Sequence, residues 1–297
     1  MLLLALACHS PTTPDAPVVP SAYDYESPPD AVGDPLTPEE VGEGLQTAID
    51  FTARIHPGLL HEAWAETMEE HADPDCPAIE PHNGQDHWRE EPCTSSDGTV
   101  FRGWSLFYRD IPDLDPEVIE DRQYVEVGWL SGQATITEPD GVVLNSYGDA
   151  LYEHWQARDG SVGRTGFVWG DFRWTDPRAV DTWLQDGLTM EMYYSYIDHG
   201  NFNATEMDLS MAFLPEPVPA TIWEGLSLVN EPGSCALEPG AYIRVRDTDG
   251  RWYEVEFDGS TARDGDCDGC GAVWLDDREI GRACVDWAPL LSVYEEP

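Results

Sequence analysis

The chain has 297 residues, of which 41% are hydrophobic and 12 are Trp, enough to build the core of one large or two modest domains. Its 58 acidic residues outnumber 15 basic ones, all of them Arg, and give a formal net charge of -43 at pH 7. A surface this negative repels nucleic acid and anionic lipid headgroups, whose binding depends on clustered Lys and Arg. We therefore expect no nucleic acid as a partner.

Two explanations of the acidity lead to different expectations. An excess of carboxylates keeps a surface hydrated and soluble in a salty medium, where ions screen its self-repulsion. Alternatively, the carboxylates recruit cations, which requires several of them to converge on one point. We favour the salty medium, and we expect cation binding only at the densest local cluster of acids, in residues 264–268.

The first residues, MLLLALAC, are typical of an export signal. A short apolar run ends in an Ala-Leu-Ala stretch just before Cys8, and the chain then becomes polar and rich in proline. This end of the chain resembles the signal of bacterial lipoproteins. The resemblance implies removal of residues 1–7, lipidation of Cys8 and a place in the cell envelope, as an outer-membrane or surface-exposed lipoprotein. Residues 8–36 would then form an extended, proline-rich tether to the membrane.

A short helical hairpin is predicted over residues 37–72. Thr37 and Glu40 in the sequence TPEE can form a capping box at a helix start, and Pro57 should separate the first helix from a second. The apolar face predicted for the first helix consists of Val41, Leu45, Ala48, Ile49 and Thr52.

Cysteine usage supports export, because six of the seven cysteines remain if Cys8 is lipidated. An even number suits disulfide bonds in an oxidising compartment. Proximity along the chain favours a bond between Cys76 and Cys93, which closes a loop at residues 73–98. The same reasoning pairs the other four as Cys267 with Cys270 and Cys235 with Cys284. Six cysteines allow many connectivities, so this pairing is a hypothesis.

From about residue 99 apolar and polar residues alternate in short runs between turns, which predicts strands. Thr205, Met207 and Leu209 point one way and Glu206 and Asp208 the other, as in a sheet with one wet face. Further runs lie near residues 122–130, 133–138, 142–156, 163–174, 188–198 and 203–213.

The predicted fold is therefore mainly β, with the helical hairpin at its N-terminal end. Residues 99–230 should form an antiparallel meander sheet, open or curled into a half barrel. Residues 231–297, which begin at the turn-like sequence EPGS, should form a small disulfide-bonded β unit.

The sequence DGDCDGCG at residues 264–271 has several interpretations. Alternate aspartates followed by a glycine open many calcium-binding loops. The predicted calcium ligands are Asp264, Asp266, Asp268, the backbone carbonyl of Cys270, and Asp276. The other interpretation is a disulfide-stapled hairpin turn, in which Asp and Gly are simply the favoured residues. Redox chemistry fits poorly, because the neighbouring acids disfavour the reactive thiolate.

Aromatic residues crowd the predicted β region, and most of them should fill the core. Tyr194 and Tyr196 share a core-like stripe with methionines, whereas Tyr193 shares its face with Glu191 and Ser195. Tyr193 is therefore the residue that we predict for a ligand-binding face.

The motifs of serine hydrolases, nucleotide-binding loops and dinucleotide-binding folds are missing from the sequence. We predict no organic cofactor, with calcium as the one candidate ion, and we name no catalytic residue. The sequence favours a binding or interaction role, with an extracellular polymer or an envelope protein as the partner. The alternatives are a hydrolase acting on such a polymer and a purely structural surface protein.

Overall fold

The structure is a computed structural model in which one antiparallel sheet carries helices against one of its faces. Two helices form where the sequence predicts them, α1 (Pro38–Arg54) and α2 (Pro57–His71), and a short α3 (Ala288–Ser292) follows the last strand. The residues that the structure describes are 33–54, 57–82, 85–88, 92–110, 122–157, 159–175, 188–199, 202–212, 214, 216–232, 234–235, 238–259 and 267–292.

The predicted capping box holds the start of α1. The backbone N–H of Thr37 donates to Glu40 Oε2 (2.7 Å), and the backbone N–H of Glu40 donates to Thr37 Oγ1 (3.3 Å). Hydrogen bonds from the Thr37 backbone and hydroxyl lower the pKa of Glu40. Among the described residues, no helix has the length and apolar character needed to cross a membrane.

The described residues form a sheet of 14 strands, and hydrogen-bonded neighbours follow each other along the chain, except that β3 pairs with β4 beside the main path. In chain order the strands are β1 (Ile79–His82), β2 (Gln85–Trp88), β3 (Cys93–Thr94), β4 (Val100–Asp110), β5 (Arg122–Thr137), β6 (Val143–Ala157), β7 (Val162–Thr175), β8 (Leu188–His199), β9 (Phe202–Ala212), β10 (Ala220–Asn230), β11 (Gly240–Arg246), β12 (Trp252–Glu256), β13 (Cys270–Leu275) and β14 (Arg278–Cys284). The predicted mainly β fold with an antiparallel meander is confirmed.

The structure joins segments that the sequence pattern separates. The runs near residues 122–130 and 133–138 form one strand, β5. After β10 the backbone N–H of Ser234 donates to Glu231 O (3.0 Å). Because β11 pairs with β10, the Cys-rich tail continues the same sheet.

The helices cover different parts of one face of the sheet, called here the inner face. Helix α1 packs against β11, β14 and α3, whereas α2 packs against β5, β6 and β7. Trp64 of α2 stacks on Trp88 of β2 with ring centroids 5.9 Å apart. The predicted apolar face of α1 is buried in the same core: Val41, Leu45, Ala48, Ile49 and Thr52. Each helix therefore packs mainly on strands.

Strand β9 shows how the pleat separates the two faces. Thr205, Met207 and Leu209 are buried, while Glu206 and Asp208 are exposed, as the alternation predicts. The face opposite the helices, called here the outer face, is therefore the one that meets solvent.

Two inner-face tyrosines lie over glycines of neighbouring strands. Tyr152 is directly opposite Gly128, and Tyr194 is directly opposite Gly166. A glycine lets the ring lie flat on the neighbouring backbone, an arrangement that stabilises a Gly-containing strand. Burial raises the pKa of Tyr194.

We expect Gly166→Ala to destabilise the fold by about 1–3 kcal/mol, because the added Cβ would overlap the tightly packed ring of Tyr194. The Tm should fall by several degrees in differential scanning calorimetry. Gly240→Ala is the matched control, since a Cβ at residue 240 would meet no atom within 4 Å. Equal Tm values for the two variants would contradict this account of the core.

Candidate ligand-binding face

Four consecutive strands each place one exposed, large aromatic side chain on the outer face. The exposed fractions are 36% for Trp129 on β5, 47% for Tyr147 on β6, 52% for Trp169 on β7 and 51% for Tyr193 on β8. These four residues are called here the outer aromatic face. Aromatic side chains contribute most when they are buried, so a group of them on a solvent-exposed face is typical of a binding surface.

The strand register joins these rings through further apolar residues. Trp129 lies opposite Leu151, Leu151 opposite Phe167, and Phe167 opposite Tyr193. The ring centroids of Phe167 and Tyr193 are 4.8 Å apart. A continuous apolar row thus crosses four strands, over about 14 Å at the usual strand spacing.

Carboxylates lie beside the rings of this face. Asp149 is directly opposite Trp169, and Asp208 is directly opposite Tyr193. Directly opposite side chains in an antiparallel sheet have Cβ atoms about 5 Å apart. The backbone N–H of Gly225 donates to Asp208 Oδ1 (2.6 Å), which holds that carboxylate in place. The surface therefore combines flat rings with negative charge.

The structure places Tyr193 on the outer face, and it buries Tyr194 and Tyr196 on the inner face. Sequence reasoning did not single out Tyr147 and Trp169, because each lies in a strand with apolar residues on both faces. The available signal was the repeat of two: Asp149 follows Tyr147 by two residues, and Asp171 follows Trp169 by two. Strand pairing was needed to bring these residues together.

The predicted calcium ligands are only partly described. Asp264 and Asp266 lie outside the described residues, whereas Asp268, Cys270 and Asp276 lie within them. Because β13 runs from Cys270 to Leu275, it separates Asp268 from Asp276 by about 17 Å of strand. Asp276 belongs to the β13–β14 turn, with φ of 50°. The structure therefore does not bring Asp276 to Asp268.

An arginine donates hydrogen bonds to two of the oxygen atoms that were predicted to bind calcium. Arg282 Nη2 donates to Cys270 O (2.7 Å) and to Asp268 Oδ1 (3.2 Å). A guanidinium thus supplies the positive charge beside these oxygens. Calcium binding by residues 264–268 stays a prediction, and a cation there would compete with Arg282.

The same loop contacts a buried carboxylate that sequence reasoning missed. Glu238 is fully buried, and its Oε1 accepts a hydrogen bond from the backbone N–H of Asp268 (3.0 Å). Its Oε2 has no hydrogen-bond partner in the described part of the chain. Nothing in the local sequence distinguishes Glu238 from the other acids, because its burial depends on the tertiary fold.

The disulfide bonds correct two of the three predicted pairings. Cys76 pairs with Cys93, as predicted. The other bonds join Cys235 to Cys267 and Cys270 to Cys284, so the predictions of Cys267 with Cys270 and Cys235 with Cys284 were wrong. The reason is strand register, which places Cys270 directly opposite Cys284 in the β13–β14 hairpin. The C-terminal bonds thus fix the hairpin and its preceding loop.

A charged cluster fastens the end of α2 to the turn between β3 and β4. His71 Nδ1 lies 2.7 Å from Asp97 Oδ2, and His71 Nε2 lies 3.6 Å from Glu138 Oε2. Ser95 Oγ donates to Asp97 Oδ1 (2.6 Å). A hydrolytic triad would place the histidine between the serine and the acid. Here the acid lies between them, so the cluster fits a structural clip and not an activated nucleophile.

Burial lowers the pKa of His71, but the hydrogen bond with Asp97 and the charges of Glu138, Asp97 and Glu70 outweigh it, so the net pKa is raised. The stabilisation by protonated His71 is therefore fully present below the ordinary histidine pKa, and it is lost as pH rises through the folded-state pKa. We expect the Tm difference between wild type and His71→Gln to be larger at pH 5.5 than at pH 9.

Thermal melts of both proteins at the two pH values check this expectation. Asp97→Asn supplies the control background, because it removes the main partner of His71. In that background the effect of His71→Gln should depend less on pH. An effect of equal size at both pH values in the wild-type background would contradict the clip.

A pocket of about 270 Å³ opens between α2 and the first strands of the sheet. Its walls are mainly apolar, from Trp64, Met68, Ile79 and Phe107, and Glu69 lies at its edge. Ser105 also lines the pocket, and its buried Oγ has no hydrogen-bond partner among the described residues. The pocket can accept a small apolar group. Among the described residues that line it, Glu69 is the only acid, whereas the hydrolase alternative requires several converging polar side chains.

No family model matches this chain, and neither the curated proteins nor the solved structures contain a match to it. The outer aromatic face is the largest group of exposed aromatic side chains among the described residues.

Proposed function

We propose that this chain is an exported, lipid-anchored protein of the cell envelope that binds an extracellular polymer or an envelope protein through the outer aromatic face. The proposal rests mainly on one observation, the four exposed rings of Trp129, Tyr147, Trp169 and Tyr193 on adjacent strands. Monomeric proteins seldom expose a contiguous apolar patch of this kind unless it binds something.

The disulfide bonds support the export part of the proposal. Three bonds join the six cysteines that follow Cys8. Disulfides persist in oxidising compartments and are rare where thiols are kept reduced. Lipidation of Cys8 and the tether of residues 8–36 remain proposals from the sequence. Cys8 and residues 9–32 of the tether lie outside the described residues.

Calcium is a further element of the proposal, as a stabiliser of the loop before β13. Glu238 supports it, because a buried carboxylate oxygen without a partner is costly unless a proton or a cation satisfies it. Asp268 lies beside Glu238, linked through its backbone N–H. A cation in this loop would thus act away from the outer aromatic face, by ordering the Cys-rich end of the sheet.

An array of neutral polysaccharides, anionic polysaccharides and charged synthetic peptides tests the binding role. We expect the wild-type protein to bind at least one class, and the double variant Trp169→Ala/Tyr193→Ala to lose about tenfold or more in affinity, because two ring contacts are removed. Tyr242→Ala is the matched control, since Tyr242 is an exposed ring on β11 that does not belong to the outer aromatic face. Binding to no class, or equal binding by all variants, would contradict the proposal.

The lipid anchor has a separate test in a bacterial host that processes lipoproteins. Replacing Cys8 with Ser removes the thiol that would carry the lipid. We expect the wild-type protein in the membrane fraction and Cys8→Ser in the soluble exported fraction, as measured by fractionation and immunoblotting. Cys76→Ser is the control for loss of a cysteine, and it should stay in the membrane fraction. An unchanged distribution of Cys8→Ser would refute the anchor.

A further inference from the structure

On another part of the outer face, formed by β11 and β12, an aromatic ring and a carboxylate together bind an arginine. On β11 the guanidinium carbon of Arg244 lies 4.5 Å from the ring centroid of Tyr242. Arg244 Nη2 also lies 2.8 Å from Glu254 Oε1 on β12, and Tyr242 Oη donates to the same oxygen (2.7 Å). One guanidinium is thus bound by a ring and a carboxylate together.

A similar contact occurs one step further along the same strands. Arg246 lies opposite Trp252, with its guanidinium carbon 5.6 Å from the ring centroid. On the outer surface of β11 and β12, arginines of the chain itself therefore contact the aromatic rings and the neighbouring acid.

Strands β6 to β9 also present rings and acids, and no arginine is seen over these rings in the part of the chain that the structure describes. Asp149 lies opposite Trp169, and Asp208 lies opposite Tyr193. The strand segments that carry this surface contain no Arg or Lys: 147–151, 167–171, 189–193 and 208–212. Asp149 has no hydrogen bond or ion pair with any residue that the structure describes. Within these segments the described residues thus supply no cation of the kind that β11 and β12 supply for themselves.

We propose that the outer aromatic face binds a basic segment of a protein partner, whose Arg or Lys side chains take the place that Arg244 occupies beside Tyr242 and Glu254. One cationic group lies over Trp169 beside Asp149, and a second lies over Tyr193 beside Asp208. This inference rests on the proposed binding function and names its ligand class. Charge complementarity supports it, because the chain has a net charge of -43.

The spacing of the two subsites favours an extended peptide over a compact cation. One subsite is formed by Asp149 and Trp169, and the other by Tyr193 and Asp208. The second subsite is displaced from the first by two residues along the strands and by two strands across the sheet. With standard sheet dimensions this diagonal is about 12 Å. Residues four apart in an extended chain are about 13 Å apart on one side. An apolar residue midway between them would contact Phe167.

Titration calorimetry with three synthetic probes tests this inference. The matching peptide is Arg-Thr-Val-Thr-Arg with blocked ends, the spacing control is Arg-Arg-Val-Thr-Thr, and the third probe is the polyamine spermine. We expect the matching peptide to bind most tightly, and its affinity to fall as NaCl rises, because part of the attraction is between charges.

Asp149→Asn and Trp169→Ala should each weaken binding of the matching peptide by about five- to tenfold. Asp277→Asn is the matched charge control, because it removes one carboxylate at the exposed β13–β14 turn, where φ of 59° is well tolerated by Asn. This control should bind as wild type does, and all variants should keep the wild-type Tm.

Equal effects of Asp149→Asn and Asp277→Asn would overturn the inference, because binding would then depend on net charge alone. Spermine binding as tight as the matching peptide would overturn it as well. If a neutral polymer binds and Trp169→Ala abolishes that binding while Asp149→Asn does not, the binding function stands and the basic-segment inference fails. If no probe and no polymer binds, both fail.

Discussion

The two-residue repeat of one continuous sheet decides which side chains of this protein are buried and which meet solvent. Because β4 to β14 pair in sequence, a slip of one residue in any strand would send its apolar side chains to the outer face. Inner-face contacts oppose such a slip, for instance the packing of Tyr194 over Gly166. The outer aromatic face is therefore a consequence of the register that the core enforces, and its rings and carboxylates keep fixed relative positions.

Specific polar contacts attach the segment before α1 to the hairpin of β11 and β12. The backbone N–H of Leu36 donates to Tyr253 Oη (2.8 Å), and Arg251 Nη2 donates to Gly33 O (2.7 Å). Tyr253 Oη donates in turn to the buried Asp247 (3.0 Å). Burial raises the pKa of Tyr253 to about 12, and the hydrogen bond and charge of Asp247 act in the same direction, so the phenol stays a donor at ordinary pH. The point where the proposed tether meets the fold is thus anchored on β12.

Local patterns predicted much of the fold, and long-range pairing explains the rest. The capping box depends only on residues within four positions of each other, from Thr37 to Glu40, so it could be predicted from the sequence. The Cys270–Cys284 bond depends on which strands pair, which no short stretch encodes. Asp276 lies apart from Asp268 for the same reason, because a strand begins at Cys270 and carries the chain away from Asp268. Tyr193 could be predicted singly, but its neighbours on the outer aromatic face come from other strands.

The acidic composition and the aromatic residues of the outer face can both be related to the salt concentration of the medium. Salt screens attraction between charges beyond about 8–10 Å, so an acidic surface alone would hold a basic partner weakly in a salty environment. Contact between a cation and an aromatic ring acts at short range and relies partly on excluding water. Under the proposed binding role, Trp169 beside Asp149 would therefore preserve binding where Asp149 alone would lose it. The same short-range contact of a cation with a ring and a carboxylate occurs within the chain, where Arg244 lies beside Tyr242 and Glu254. The geometry of this contact therefore indicates the ligand class better than the net charge does.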